Sequence, residues 1–182
     1  MKGSRIILDS RRFSLTLDRL CHQLIESYQD FSDTCIIGIQ PRGTLLADRI
    51  VERLSKMKVK GLEYGKMDIT FYRDDYRTRE KPLEASVNDI NFLVDDKRVI
   101  LIDDVLYTGR TVQAALAAMQ QYGRPVSVAL LSLVDRRFNR HLPIQADFIG
   151  LQVDALDEAY VKVDWAKGDE DNQILLFKEK VD

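Results

Sequence analysis

The sequence predicts an α/β fold: an open, mainly parallel sheet flanked by helices, with a small β appendage near the C-terminus. Three observations carry this expectation. Short β-branched apolar runs alternate with segments of helical period, the order of elements that builds a parallel sheet. A 45% apolar composition over 182 residues is enough for one substantial core. Beyond Val134 the pattern changes to short strands and turns. The expected organisation is therefore a single domain over residues 1–182, with no repeats, linker or low-complexity segment.

Each element has its own signal. From Ser10 onward, Phe13, Leu17, Leu20, Cys21, Leu24, Ile25 and Tyr28 recur at steps of three and four, with Arg11, Arg12, Arg19 and Glu26 on the other side. This is an amphipathic helix. "TCIIGI" (Thr34 to Ile39) reads as a buried strand, and "GTLLADRIVERLSKM" after it has helical periodicity. "MDITFY" (Met67 to Tyr72) is a second expected strand. A long polar stretch follows, giving an expected flexible loop over about residues 72–97; loops of this length in a compact domain are commonly functional. "RVILID" is a third strand, "TVQAALAAMQQYG" a helix ended by Gly123, and "PVSVALLSLV" a fourth strand. "ADFIGLQV", "AYVKVDW" and "QILLF" make up the expected appendage.

The bulk numbers exclude several classes of function. Lysine and arginine total 27 against 29 acids, a net charge of −2, so no global field recruits nucleic acid or an anionic membrane. Any polyanion site must be local. Cys21 and Cys35 lie in apolar surroundings without metal-ligand spacing, as expected of buried thiols in a reducing compartment. No stretch reads as a signal peptide or a membrane span, so a cytoplasmic protein is expected. His22 and His141 are too few and too separated for a metal site, and neither is assigned to catalysis.

The chemistry concentrates in "VILIDDVLYTGRT", Val99 to Thr111. Ligands of an open parallel α/β sheet bind beyond the carboxyl ends of the strands, where loops run into helix N-termini. Amides of Tyr107 to Thr111 at such a point favour an anion such as phosphate. Gly109 permits the tight turn, and Thr108 and Thr111 add hydroxyls. Asp103 and Asp104 would repel that phosphate unless they accept hydrogen bonds from hydroxyls of the same ligand or lie near a hydrated Mg²⁺. A sugar phosphate meets both demands. Two acids and a glycine alone are equally consistent with a strand end and a plain helix cap. Neither GxxxxGK[ST] nor GxGxxG is present, which removes the common nucleotide-binding loops.

The whole thirteen-residue stretch resembles the phosphoribosyl pyrophosphate (PRPP) signature of type I phosphoribosyltransferases. "IIGIQPRG", "MDITFYRDDY", "DDVLYTGRT", "LVDR" and "ADFIG" together resemble the PyrR family, which regulates pyrimidine operons by binding RNA and acts as a uracil phosphoribosyltransferase. The likeness covers most of residues 5 to 150.

The resemblance implies a type I phosphoribosyltransferase-like fold and a Mg²⁺-dependent pentosyl transfer in which uracil displaces pyrophosphate from PRPP to give UMP. It implies that Asp103 and Asp104 hold the ribose hydroxyls while Tyr107, Thr108, Gly109, Arg110 and Thr111 cradle the 5′-phosphate. Pro41, Arg42 and Gly43 match the pyrophosphate loop, with Arg42 as its cation, although "PRG" after a strand also makes an ordinary turn. Arg73, at the start of the loop expected to close over the site, is the further catalytic candidate. Arg77 and Arg79 read as parts of a solvated, salt-bridging segment. No metal ligand is assigned directly; Mg²⁺ would arrive with PRPP near Asp103 and Asp104. Dimers or higher homo-oligomers are also implied.

RNA binding, the second activity that the resemblance implies, needs a basic face. Arg19 and His22 on the first helix match the family, while Arg137 and Arg140 after "LVDR" could rebuild a basic patch nearby or belong to a solvated turn. Three positions depart from the family pattern. Asp18 stands where a hydroxyl residue is usual, Gln145 where arginine is, and Leu151 where lysine is. A nucleotide sensor that has lost turnover is a third reading, because "VDALDEAY" (Val153 to Tyr160) replaces the family's base-binding segment and adds Asp157 and Glu158 near the expected base pocket. Asp135 occupies the position where purine phosphoribosyltransferases have lysine. A carboxylate cannot donate to a purine oxo group, so a pyrimidine is favoured.

Overall fold

A computed structural model describes residues 4–74, 86–154, 159–166 and 172–177. In chain order its elements are β1 (Ser4–Leu8), α1 (Ser10–Tyr28), β2 (Thr34–Ile39), α2 (Gly43–Lys56), β3 (Glu63–Met67), β4 (Arg98–Leu106), α3 (Arg110–Met119), β5 (Ser127–Arg136), β6 (Phe148–Val153), β7 (Tyr160–Asp164) and β8 (Gln173–Phe177). The central sheet has the order β3-β2-β4-β5-β6, and each of its neighbouring pairs is parallel. A second, antiparallel sheet has the order β1-β8-β7.

Both faces of the central sheet are covered, as a parallel sheet requires. Ile36, Ile100 and Ile102 pack with Phe13, Leu17 and Leu24 of α1 and Leu46, Ile50 and Leu54 of α2. Cys35, Ile37, Val99 and Leu101 point the other way and pack with Val112, Ala115 and Met119 of α3. Asp9 caps α1, its carboxylate accepting from the Arg12 N–H at 2.9 Å. Both cysteines are buried free thiols, and desolvation pushes each thiol up to about 12.

Three expectations change. "MDITFY" is not a strand: β3 ends at Met67, and Thr70 to Tyr72 form a 3₁₀ turn. Asp68 causes the break, because its buried carboxylate accepts from the N–H and hydroxyl of Thr70 at 2.8 and 2.6 Å and from the Ser86 N–H at 2.6 Å. The segment "FIGLQV" does not belong to the appendage but forms the edge of the central sheet as β6, pairing with β5. Its place in the appendage is taken by β1, from the other end of the chain. Of the loop expected over 72–97, residues 75–85, with Arg77 and Arg79, lie outside the described residues. The later part is tied down: Lys66 and Asp89 exchange backbone hydrogen bonds at 2.8 and 2.9 Å, and Val94 is fully buried.

Candidate functional site

The acid pair lies within β4 rather than beyond it, since the strand continues to Leu106 and Asp103 pairs with Ser132 of β5. Alternation along a strand sends consecutive side chains to opposite faces. Asp104 follows Ile102 toward α2 and the antiparallel sheet, and Asp103 follows Leu101 toward α3. Both carboxylates are buried, 6% and 5% exposed, which is unusual for aspartate and needs compensation. Asp103 accepts from the Asp104 N–H at 2.9 Å. Arg42 places Nε 3.5 Å from Asp104 Oδ2, an ion pair too long to be a good hydrogen bond, and this oxygen is otherwise without a partner. Burial, and then the neighbouring Asp104, raises Asp103 above the ordinary carboxylate range, against the opposing pull of Arg42 and Arg73. Burial also raises Asp104, with Arg42 as the main opposing charge.

Packing brings Arg42 to the acids. The Gln40–Pro41 peptide is cis, Gln40 donates its N–H to Met67 O at 2.8 Å, and Thr44 donates its hydroxyl to Pro41 O at 2.8 Å. Gly43 then starts α2 directly against β4. A Cβ at that position would lie 2.3 Å from Ile102 O and 3.0 Å from Asp103 Cα, so only glycine permits the approach. Thus "PRG" is more than a surface turn.

The turn after β4 forms a cavity of about 290 Å³ lined by Arg73, Asp103 and the run from Val105 to Val112. Gly109 has a φ of 90° and caps α3 without a side-chain bond. Thr108 O accepts from the N–H groups of His141 and Leu142 at 3.0 and 3.2 Å, which anchors the turn from behind. The structure therefore gathers Arg73, Asp103, Tyr107, Thr108, Gly109, Arg110 and Thr111 around one cavity, with Asp104, Pro41, Arg42 and Gly43 beside it. Arg110 is already ion-paired with Asp74.

Several residues at this site carry no local sequence signal. Arg136 stacks its guanidinium 3.9 Å over the Tyr107 ring and donates to Ala159 O at 2.6 Å. Tyr160 contacts Arg42, and Trp165 contacts Asp104. Asp157 and Glu158 lie outside the described residues.

The candidate RNA face is largely occupied by internal contacts. Arg19 donates to Ile149 O and Gly150 O at 3.1 and 2.6 Å. Arg137 makes a two-pronged pair with Asp154, both contacts at 2.6 Å. Arg140 is paired with Asp135 and bonded to Tyr107 O, so it supports the turn after β4 rather than pointing outward. Asp18 is turned toward Arg53, at 3.1 Å, instead of facing an incoming phosphate. His22 is exposed on α1.

An open parallel sheet with paired acids ahead of a glycine turn into a helix is the arrangement expected of a phosphoribosyltransferase, and the comparisons agree. The model of the phosphoribosyl transferase domain matches residues 4–166. The fold is similar to a hypoxanthine phosphoribosyltransferase from Staphylococcus aureus, 22% identical, with a TM-score of 0.67 over 86% of this chain and 80% of that one. It is similar as well to the enzyme of that name from Trypanosoma cruzi, 13% identical, with a TM-score of 0.72 over 97% and 93% of the two chains. In sequence it is 37% identical to the bifunctional protein PyrR of Bacillus mycoides, over 97% of this chain and 99% of that protein, and equally so to that of Bacillus anthracis. The chain belongs to the PyrR family of phosphoribosyltransferase-domain proteins. Among the described residues no helix is long and apolar enough to cross a membrane.

Proposed function

We propose that this chain transfers the phosphoribosyl group of PRPP to uracil, forming UMP and pyrophosphate, and that residues 1–182 act as one catalytic domain. The observation that carries the reading is the buried Asp103–Asp104 pair between Arg42 and the open N-terminus of α3. The N–H groups and the helix dipole at Gly109 to Thr111 suit the 5′-phosphate, the Arg110 N–H making only a long bond of 3.4 Å to the Thr108 hydroxyl. Asp104, with one oxygen completing no hydrogen bond, suits a ribose hydroxyl, and Asp103, on the other face of the strand, lines the cavity of the turn. The C–N bond to uracil forms as the bond from the anomeric carbon to pyrophosphate breaks, the electron pair leaving with pyrophosphate and the uracil N1 proton passing to pyrophosphate or solvent. Positive charge on the ribosyl ring then lies near two carboxylates, while Arg42 and Arg73 offset the charge that grows on the leaving group.

The residues fit Mg²⁺. Carboxylate oxygens are the hard ligands it prefers, and no described group of three or more His, Cys, Asp or Glu residues could hold a metal by itself. The ion would arrive with PRPP near Asp103 and Asp104, with no ligand assigned directly. Mg²⁺ neutralises pyrophosphate charge when bound.

Uracil as the acceptor is supported by kinship with bifunctional PyrR proteins and by Asp135, which is engaged by Arg140 and offers no donor to a purine oxo group. The regulatory reading is less well supported, because Arg19, Arg137 and Arg140 already spend their guanidinium groups on internal partners. Assays with PRPP, Mg²⁺ and each of uracil, orotate, hypoxanthine, guanine and xanthine test the proposal. UMP formation exceeding every other product is expected. PRPP binding with no nucleotide formed from any base would refute turnover and leave a sensor. Activity with a purine alone would refute the choice of uracil.

A further inference from the structure

The sole tryptophan of the chain, Trp165, follows β7 in the antiparallel sheet, far in sequence from the acid pair. Its indole is clamped between two helices. Phe13 of α1 meets it edge-on with ring centroids 5.6 Å apart, and the guanidinium of Arg49 on α2 lies 4.7 Å over its ring. Arg49 also donates to Ala166 O at 3.0 Å, and Asn172 accepts the Ala166 N–H at 3.0 Å, so the backbone next to the indole is fixed too. The ring has little freedom to choose where its N–H points.

That N–H interacts with Asp104, whose side chain leaves β4 on the same face as Ile102. Indole Nε1 and Asp104 Oδ2 are both buried, and neither completes a hydrogen bond. The indole nonetheless lies close enough to the carboxylate to favour its charged form. A buried donor beside a buried acceptor, both unsatisfied, is a costly and uncommon arrangement. Arg42, which pairs with the same oxygen, also makes a long contact of 3.5 Å to Val163 O, so β7 and the residue after it reach both groups that meet Asp104.

We propose that Trp165 is a positioning residue for Asp104: its indole N–H holds the carboxylate in the orientation that receives a ribose hydroxyl of PRPP, and so couples the antiparallel sheet to the PRPP motif. The proposal rests on the phosphoribosyltransferase reading above. Its chemistry is a charge-assisted hydrogen bond from a donor that cannot be deprotonated at neutral pH. Because Asp104 would touch the ribose before and during transfer, loss of the donor acts mainly on affinity for PRPP and little on kcat.

Trp165→Phe keeps a ring against Phe13 and Arg49 and removes the donor together with the smaller ring of the indole. Its KM for PRPP is expected to rise about tenfold with kcat nearly unchanged. A single tryptophan also gives one indole N–H resonance, which can be read without any substrate. Asp104→Asn should move that resonance, and PRPP should move it in the wild-type protein. An indole resonance that ignores Asp104→Asn, or a Trp165→Phe variant with wild-type KM, would overturn the proposal. If the wild-type protein has no affinity for PRPP, the underlying functional reading fails and the positioning role falls with it; the ligand-free resonance tells these two failures apart.

Discussion

Asp103 and Asp104 are placed where their charges are expensive. Burial raises both above the ordinary carboxylate range, so each costs the fold stability when it ionises. The sign follows from linkage. A carboxyl whose folded pKa exceeds its unfolded value of about 4 costs nothing below that pH, and its penalty grows as pH rises toward the folded value. Asp103→Asn should therefore stabilise the ligand-free protein by ~1–2 kcal/mol at pH 7, and the gain should vanish near pH 4. Thermal unfolding at the two pH values measures it; equal Tm differences at both would contradict the assignment. The types and spacing of these residues were legible from the sequence, because two acids before a TGRT turn have few chemical uses. Their division between two faces of one strand, and the approach of Arg42, Tyr160 and Trp165, were not, because those contacts join residues from about 60 to about 120 positions apart in the chain.

At the scale of elements, periodicity located α1, β2, α2, α3 and β5 well, since each has a clear apolar face. It failed where one buried polar side chain overrode the pattern: Asp68 ends β3 at Met67 by capping the following turn. It failed again at β6, whose short apolar run looks the same whether it joins a parallel sheet or an appendage. The junction of β2 and α2 gives a sharper case. Gly43 reads as a turn glycine in "PRG", yet its importance lies in contact with β4. Gly43→Ala would force a methyl into Ile102 O, a backbone atom that cannot move aside alone. Displacement of α2 should cost ~2 kcal/mol in denaturant unfolding and carry Arg42 away from Asp104, lowering turnover. A variant with wild-type stability and activity would show that the helix start tolerates movement.

Across the whole molecule, two sheets share one function. The parallel sheet supplies the acids and the turn, and the antiparallel sheet, closed by β1 from the opposite end of the chain, supplies the groups that surround Arg42 and Asp104. A near-neutral charge gives no global basic field, and among the described residues Arg19, Arg137 and Arg140, which resemble an RNA surface, are bonded to the protein itself. The proposed site suits a small, multiply charged ligand such as PRPP. Calorimetric titration of PRPP with Mg²⁺ into the wild-type protein, Asp104→Asn and Thr111→Ala tests this most directly. One PRPP should bind each wild-type chain, with affinity reduced about tenfold or more in each variant. Equal PRPP affinity in all three proteins would contradict the site.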